Sequence, residues 1–369
     1  MAKSKSAKNK PSLIGKNELA FLERYINNPS PTGFESAGQK LWLDYIKPYV
    51  DEHFVDTYGT AVGVINPKAA YKVVIEAHAD EISWFVHYIT KDGFIYLRRN
   101  GGSDHQIAPS KRVNIHTDKG IVKAFFGWPA IHVREPGKEE TPTLKNIFLD
   151  CGCSSDKEVA DLGIHVGCVV TYEDEFMVLN NRYYVGRALD NRVGGFMIAQ
   201  VARILSENKI KLPFGLYLVN SVQEEVGLRG AEMISETIKP NVAIITDVTH
   251  DTQTPMMNKV AQGDIAAGQG PSLTYGPAVH NKLLKLIIDT ANKNKIPFQR
   301  EVASRSTGTD TDAFAYSSGG ITSALISLPL RYMHTTVESV HKNDVDNVIR
   351  LIYETLRNIK NNHDFRYIK

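Results

Sequence analysis

Apolar runs of strand length that end in ionisable residues set the pattern of this chain. Residues 72–77, Lys-Val-Val-Ile-Glu-Ala, run straight into His78, Asp80 and Glu81, polar groups that are costly to bury unless something pairs with them. Residues 215–220 lead to Glu224 and Glu225, residues 241–246 end at Asp247, and residues 322–328 lead through Pro329 to His334. Helical spacing is expected over 17–25, 36–46, 190–207, 282–292 and 344–360, with Asp190 opening the third of these. Helices alternating with apolar strands predict an α/β fold with helices packed on a mixed sheet.

Between residues 89 and 182 the pattern changes to short strands divided by Gly and Asp turns, with one helical turn near 155–162. The β/α alternation then resumes. This predicts a small β-barrel-like domain, 89–182, inserted into a catalytic domain built from 16–88 and 183–369. Residues 1–15 read as a disordered basic tail, because the lysines of the first ten residues have no apolar segment behind them and so do not resemble a secretory signal.

A formal net charge of +2 over 369 residues gives no argument for nucleic acid or an anionic membrane as partner. No apolar run reaches bilayer-spanning length. Cys151, Cys153 and Cys168 cannot form a full disulfide framework, and Cys151-Gly152-Cys153 has the wrong spacing for a CxxC motif. They read as small apolar residues of a chain kept in a reducing cytoplasm.

The ionisable residues gain meaning from their positions. In open α/β sheets ligand sites form at the carboxyl ends of strands, and His78, Glu224, Glu225, Asp247 and His334 all follow expected strands. Imidazole and carboxylate donors without cysteine suit a pair of divalent ions, with Zn²⁺ first and Co²⁺ or Mn²⁺ as alternatives. Asp190 would bridge them, His78 and Asp247 completing one site and Glu225 and His334 the other. Glu224 is the candidate general base and acid, and Asp80, on the same face of the strand as His78, its ring-orienting partner. Each residue alone also has an ordinary reading: a metal-free His-Asp hydrogen bond, an acidic helix start at Glu224-Glu225, an Asx turn at Asp247, or a backbone-bonded His334. The GxGxxG spacing of a dinucleotide site is absent from the sequence.

Six stretches together resemble the dinuclear-metal aminopeptidases that build tetrahedral particles, a group of glutamyl and leucyl aminopeptidases with relatives once labelled cellulases. They are Pro31-Thr32-Gly33-Phe34-Glu35, His78-Ala79-Asp80-Glu81-Ile82, Gly186-Arg187-Ala188-Leu189-Asp190-Asn191-Arg192, Gln223-Glu224-Glu225-Val226-Gly227-Leu228-Arg229-Gly230-Ala231, Asp247-Val248 and Tyr332-Met333-His334. The resemblance implies the same metal and base roles and a phosphorylase/hydrolase-like catalytic domain. It also implies an inserted domain that serves assembly or substrate access, a homo-oligomer up to a dodecamer, and short peptides with free N-termini as substrates. Two features depart from the family pattern. Asp312, in Gly308-Thr309-Asp310-Thr311-Asp312, reads either as a turn acid or as a residue favouring a basic substrate group, and no proline follows His334 closely.

Three functions are compatible with these residues: an aminopeptidase, a metal-dependent deacylase or other amidohydrolase on small acylated substrates, and a non-catalytic metal-stabilised peptide-binding or assembly protein. Cellulase chemistry fits less well, since glycoside hydrolysis usually employs two separated carboxylates acting on an acetal.

Overall fold

The structure, a computed structural model, describes residues 12–368. Most of the expected basic tail, residues 1–11, therefore lies outside the described residues. Among those described, eleven strands form one mixed sheet. At its centre Gly215–Ser221, Lys72–His78, Val242–His250 and Thr322–Arg331 run parallel. These strands are buried nearly end to end, as sheets covered by helices on both faces must be. Antiparallel strands flank them: Ala61–Ile65 and Glu52–Val55 on one side, Glu338–His341, Tyr183–Gly186 and Met177–Leu179 on the other.

The helix Leu189–Glu207 packs on the strand Lys72–His78 and on the helices Lys16–Asn27, Ser36–Ile46 and Lys342–Asn358. Its apolar residues, from Val193 to Leu205, belong to the large core that also takes in Val73, Ile75, Ile244 and Ile326. The α/β architecture expected from the pattern is the one observed.

A separate core of Trp84, Leu97, Ile115, Phe126 and Val170, among others, fills a closed six-stranded barrel. Its strands are Ser83–Ile89, Ile95–Asn100, Arg112–Thr117, Gly120–Phe126, Phe148–Asp150 and Val169–Tyr172. The boundaries differ from those expected at 89 and 182. The strand Ser83–Ile89 already belongs to the barrel, because Trp84 and Val86 point into the barrel core. Met177–Leu179 belongs to the main sheet, pairing with Tyr183–Gly186. A strand-length apolar pattern marks both segments as strands without saying which sheet receives them. Cys168 is buried, whereas Cys151 and Cys153 are half-buried, and all three are free thiols.

Register brings the strand ends together. Ser221 pairs beside His78 and Asp247 beside Ser327. His78 and Asp247, and the ionisable residues that follow the other two strands, thus lie toward one edge of the sheet.

Candidate metal centre

His78 is the last residue of its strand, not the middle of a longer one. The chain turns after it, yet Asp80 still places Oδ1 3.3 Å from His78 Nδ1. A proton on Nδ1 facing Asp80 leaves Nε2 with the lone pair that could bind a metal ion. Nε2 lies 3.2 Å from Asp190 Oδ1 and 3.9 Å from Asp247 Oδ1. On the other side, His334 Nε2 lies 3.4 Å from both Asp190 Oδ2 and Glu225 Oε2. Asp190 therefore turns one oxygen toward each histidine.

Local structure explains how Asp190 reaches that position. Asp190 and Asn191 have non-helical backbone angles, so regular helix begins only after them, and Ala188 before them is left-handed. The peptide between Asp190 and Asn191 is cis. Glu224 and Glu225 sit in a 3-10 turn, Glu224–Val226, entered through left-handed Gln223. Asp80 accepts the backbone N–H of Glu224 at 3.0 Å and of Glu225 at 3.2 Å, and the Thr32 hydroxyl at 2.9 Å. Asp80 thus ties the turn carrying both glutamates to the end of the His78 strand. Glu224 Oε2 lies 3.8 Å from His78 Nε2.

Two residues that sequence patterns did not single out complete the arrangement. Glu338 accepts the backbone N–H of Asp190 at 2.9 Å and of His334 at 2.8 Å. Gly102, from the barrel, lies so close to His334 that a Cβ there would stand 2.5 Å from the ring Nδ1. Only glycine allows this approach. The sequence signal for it is the Gly101-Gly102 pair directly after a barrel strand. Glu81, by contrast, turns away from the cluster to pair with Arg187 and to accept the Ser30 N–H at 2.6 Å. Asp312 accepts the N–H groups of Thr307 and Gly308, the bonding of a turn acid.

Electrostatically the cluster is short of positive charge. Burial pushes Glu224 up to about 10 and Asp247 up to about 8, and His78 opposes both. Glu225 is also raised well above the usual carboxylate range, by burial and then by Asp190. Asp190 alone is lowered: burial would raise it, but hydrogen bonds from His334 and His78 outweigh that. His78 and His334 are raised in spite of burial, His78 mainly by Glu224 and His334 mainly by Asp190.

So many carboxylates in one buried place call for cations, and the donors form suitable sets. The ligating atoms of His78, Asp190 and Asp247 lie within 4.8 Å of one another, as do those of Asp190, Glu225 and His334, and those of His78, Glu224 and Glu225. Oxygen and imidazole donors in this number fit divalent ions of the zinc type.

A protein-family comparison agrees with the cluster. The model of the M42 glutamyl aminopeptidases matches residues 59–351. The chain belongs to this M42 family. A lysyl aminopeptidase of Pyrococcus furiosus is 32% identical to this M42 chain over 343 residues, covering 92% of the chain and 97% of the relative. Among solved structures, a TET aminopeptidase from a marine sediment Thaumarchaeota archaeon superposes with a TM-score of 0.89 at 27% identity, covering 94% of this chain and 98% of its own. The TET1 peptidase of Pyrococcus horikoshii gives 0.81 at 25% identity, over 91% and 98%. That protein is described as assembling into a tetrahedron or a large octahedral shell. Among the described residues of the M42 chain, no helix is long and apolar enough to cross a membrane.

Proposed function

We propose that this chain is a dinuclear metal-dependent aminopeptidase that releases N-terminal residues from short peptides. His78, Asp190 and Asp247 would hold one ion, and Asp190, Glu225 and His334 the other. The observation that carries the reading is the Asp190 carboxylate, whose two oxygens face two different histidines, each with a further carboxylate beside it. Divalent cations held there supply Lewis-acid polarisation of a carbonyl, lower the pKa of water and draw neighbouring carboxylates toward their ionised forms.

The remaining work falls to the chain itself. Neither of these two sets needs Glu224, and its Oε2 faces the cluster. It takes a proton from the attacking water and returns it to the leaving amine. Asp80 keeps the His78 ring and the Glu224–Val226 turn in one geometry. A hydrolysis so arranged suits an amide carbonyl, and the family match favours peptides over other amides.

Zinc is the expected metal, with Co²⁺ or Mn²⁺ as alternatives. The particles formed by the Pyrococcus horikoshii relative support a homo-oligomer, up to a dodecamer, with the barrel serving assembly or access to the site. The free thiols support a cytoplasmic setting.

The test is a panel of aminoacyl-anilides run on protein stripped of metal and then reloaded separately with Zn²⁺, Co²⁺ or Mn²⁺. Turnover should return with metal and vanish when the substrate amine is acetylated. Release of acetate, not aniline, from the acetylated substrates would make the protein a deacylase, and bound metal without any turnover would make it a binding protein.

A further inference from the structure

Names among the relatives do not fix which side chain this protein removes, since both lysyl and glutamyl aminopeptidases occur there. The chain's own cavities are more informative. The metal cluster opens into a space of about 670 Å³. A second space of about 710 Å³ adjoins it, and Val248, Thr249, Ser306, Thr307 and Thr309 line both.

The second cavity has two charged residues in its lining, Arg300 and Glu301. Arg300 is exposed at the rim, its guanidinium over the Phe298 ring at 4.8 Å. Glu301 is half-buried and fixed. One oxygen accepts the Thr249 hydroxyl and the other the Thr274 hydroxyl, each at 2.7 Å. Thr249 lies two residues beyond Asp247, and Thr274 is the strand partner of Glu301. Among the described residues the partners of this carboxylate are those two hydroxyls and no cation. A carboxylate oxygen has more than one acceptor direction, so each can still receive a donor from the cavity. Val248, Leu325, Tyr275 and Ala303 supply apolar wall.

We propose that this cavity receives the side chain of the substrate's first residue, and that Glu301 selects a cationic one, lysine or arginine. The assignment rests on the exopeptidase reading, which places the first residue's carbonyl at the cluster and its side chain next to it. A lysine stem would lie along the apolar wall while its ammonium meets Glu301. Such a bond is charge-assisted and replaces no existing ion pair, whereas an acidic side chain would meet a like charge. The competing role for Glu301 is a bracket between the strands Val242–His250 and Ser272–Tyr275. A bracket needs acceptors and no charge.

Glu301→Gln separates the two. Initial rates on lysyl-, leucyl- and glutamyl-anilides should be measured for the metal-loaded wild type and variant, with calorimetric binding of free L-lysine, L-leucine and L-glutamate alongside. The expected wild-type order of kcat/KM is lysyl over leucyl over glutamyl. In the variant the lysyl-to-leucyl ratio should fall about tenfold or more, the weight of one charge-assisted hydrogen bond. A wild type preferring leucyl or glutamyl substrates overturns the proposal, as does an unchanged ratio in the variant or an equal fall on all three. If no anilide is turned over, the exopeptidase reading fails, and binding decides the cavity separately. Lysine bound more tightly than leucine, with the preference lost in Glu301→Gln, supports the cation site; equal binding overturns it.

Discussion

Glu338 contributes no atom to either donor set, yet it grips the backbone of the shared Asp190 and of His334, both of which donate their N–H to it. Removing a carboxylate that positions ligands costs metal affinity, on the order of 10- to 100-fold. Glu338→Gln keeps the volume but turns an N–H₂ toward one of the two donors. It should weaken metal retention by about tenfold or more, measured by competition with a chelator of known affinity. Retention equal to wild type would show that the backbone holds this geometry unaided. Glu338 illustrates what a sequence conceals. His78 and Asp247 are legible because an ionisable residue ending an apolar run needs a reason. The partnership of Glu338 with an N–H 148 residues away needs the fold. Asp80 is legible as a neighbour of His78, but its hold on Glu224 and Glu225 depends on a turn 144 residues on.

At the scale of elements, four parallel strands bring their ionisable residues together: His78 ends its strand and Asp247 sits within Val242–His250, while irregular backbone after the other two aims Glu224, Glu225 and His334. Left-handed Gln223 precedes the glutamate turn, and Tyr332 and His334 are left-handed at the end of the last central strand. Non-glycine residues in that region cost free energy and gather at functional sites. The strands themselves were legible from their apolar runs. Their turns were not, since no propensity dictates a left-handed glutamine or histidine.

Asp344 does comparable work away from the site. It lies in the first turn of the helix Lys342–Asn358 and anchors a loop by accepting the N–H of Gly268 at 2.5 Å and of Gly270 at 2.8 Å. Burial raises it to about 6, the two glycine donors pulling the other way. Below about pH 4 the group is protonated whether the chain is folded or not, and its contribution is fully present. As the pH rises toward 6 the unfolded chain ionises first, so that contribution is lost. Relative to Asp344→Asn, the wild type should therefore gain about 2 kcal/mol in denaturant unfolding between pH 7 and pH 4. A difference that does not vary with pH would contradict the raised pKa.

For the whole molecule, the barrel and the catalytic domain have separate cores but share the site. The Gly101-Gly102 loop of the barrel presses against Glu225 and His334, so the insertion helps shape the cluster whatever it does in assembly. The existence of the inserted domain is legible in the shift from β/α alternation to short strands. Its edges are not, because Ser83–Ile89 follows directly on the residues that form the site and reads as their continuation. In the proposed mechanism His78, Asp190, Glu225, Asp247 and His334 hold two ions while Glu224 moves the proton. Metal content and anilide turnover of zinc-loaded Glu224→Gln, set beside the wild type, test it most directly. Both proteins should hold two ions per chain, and turnover in the variant should fall about 10²- to 10⁴-fold. Undiminished turnover with both ions bound would contradict it.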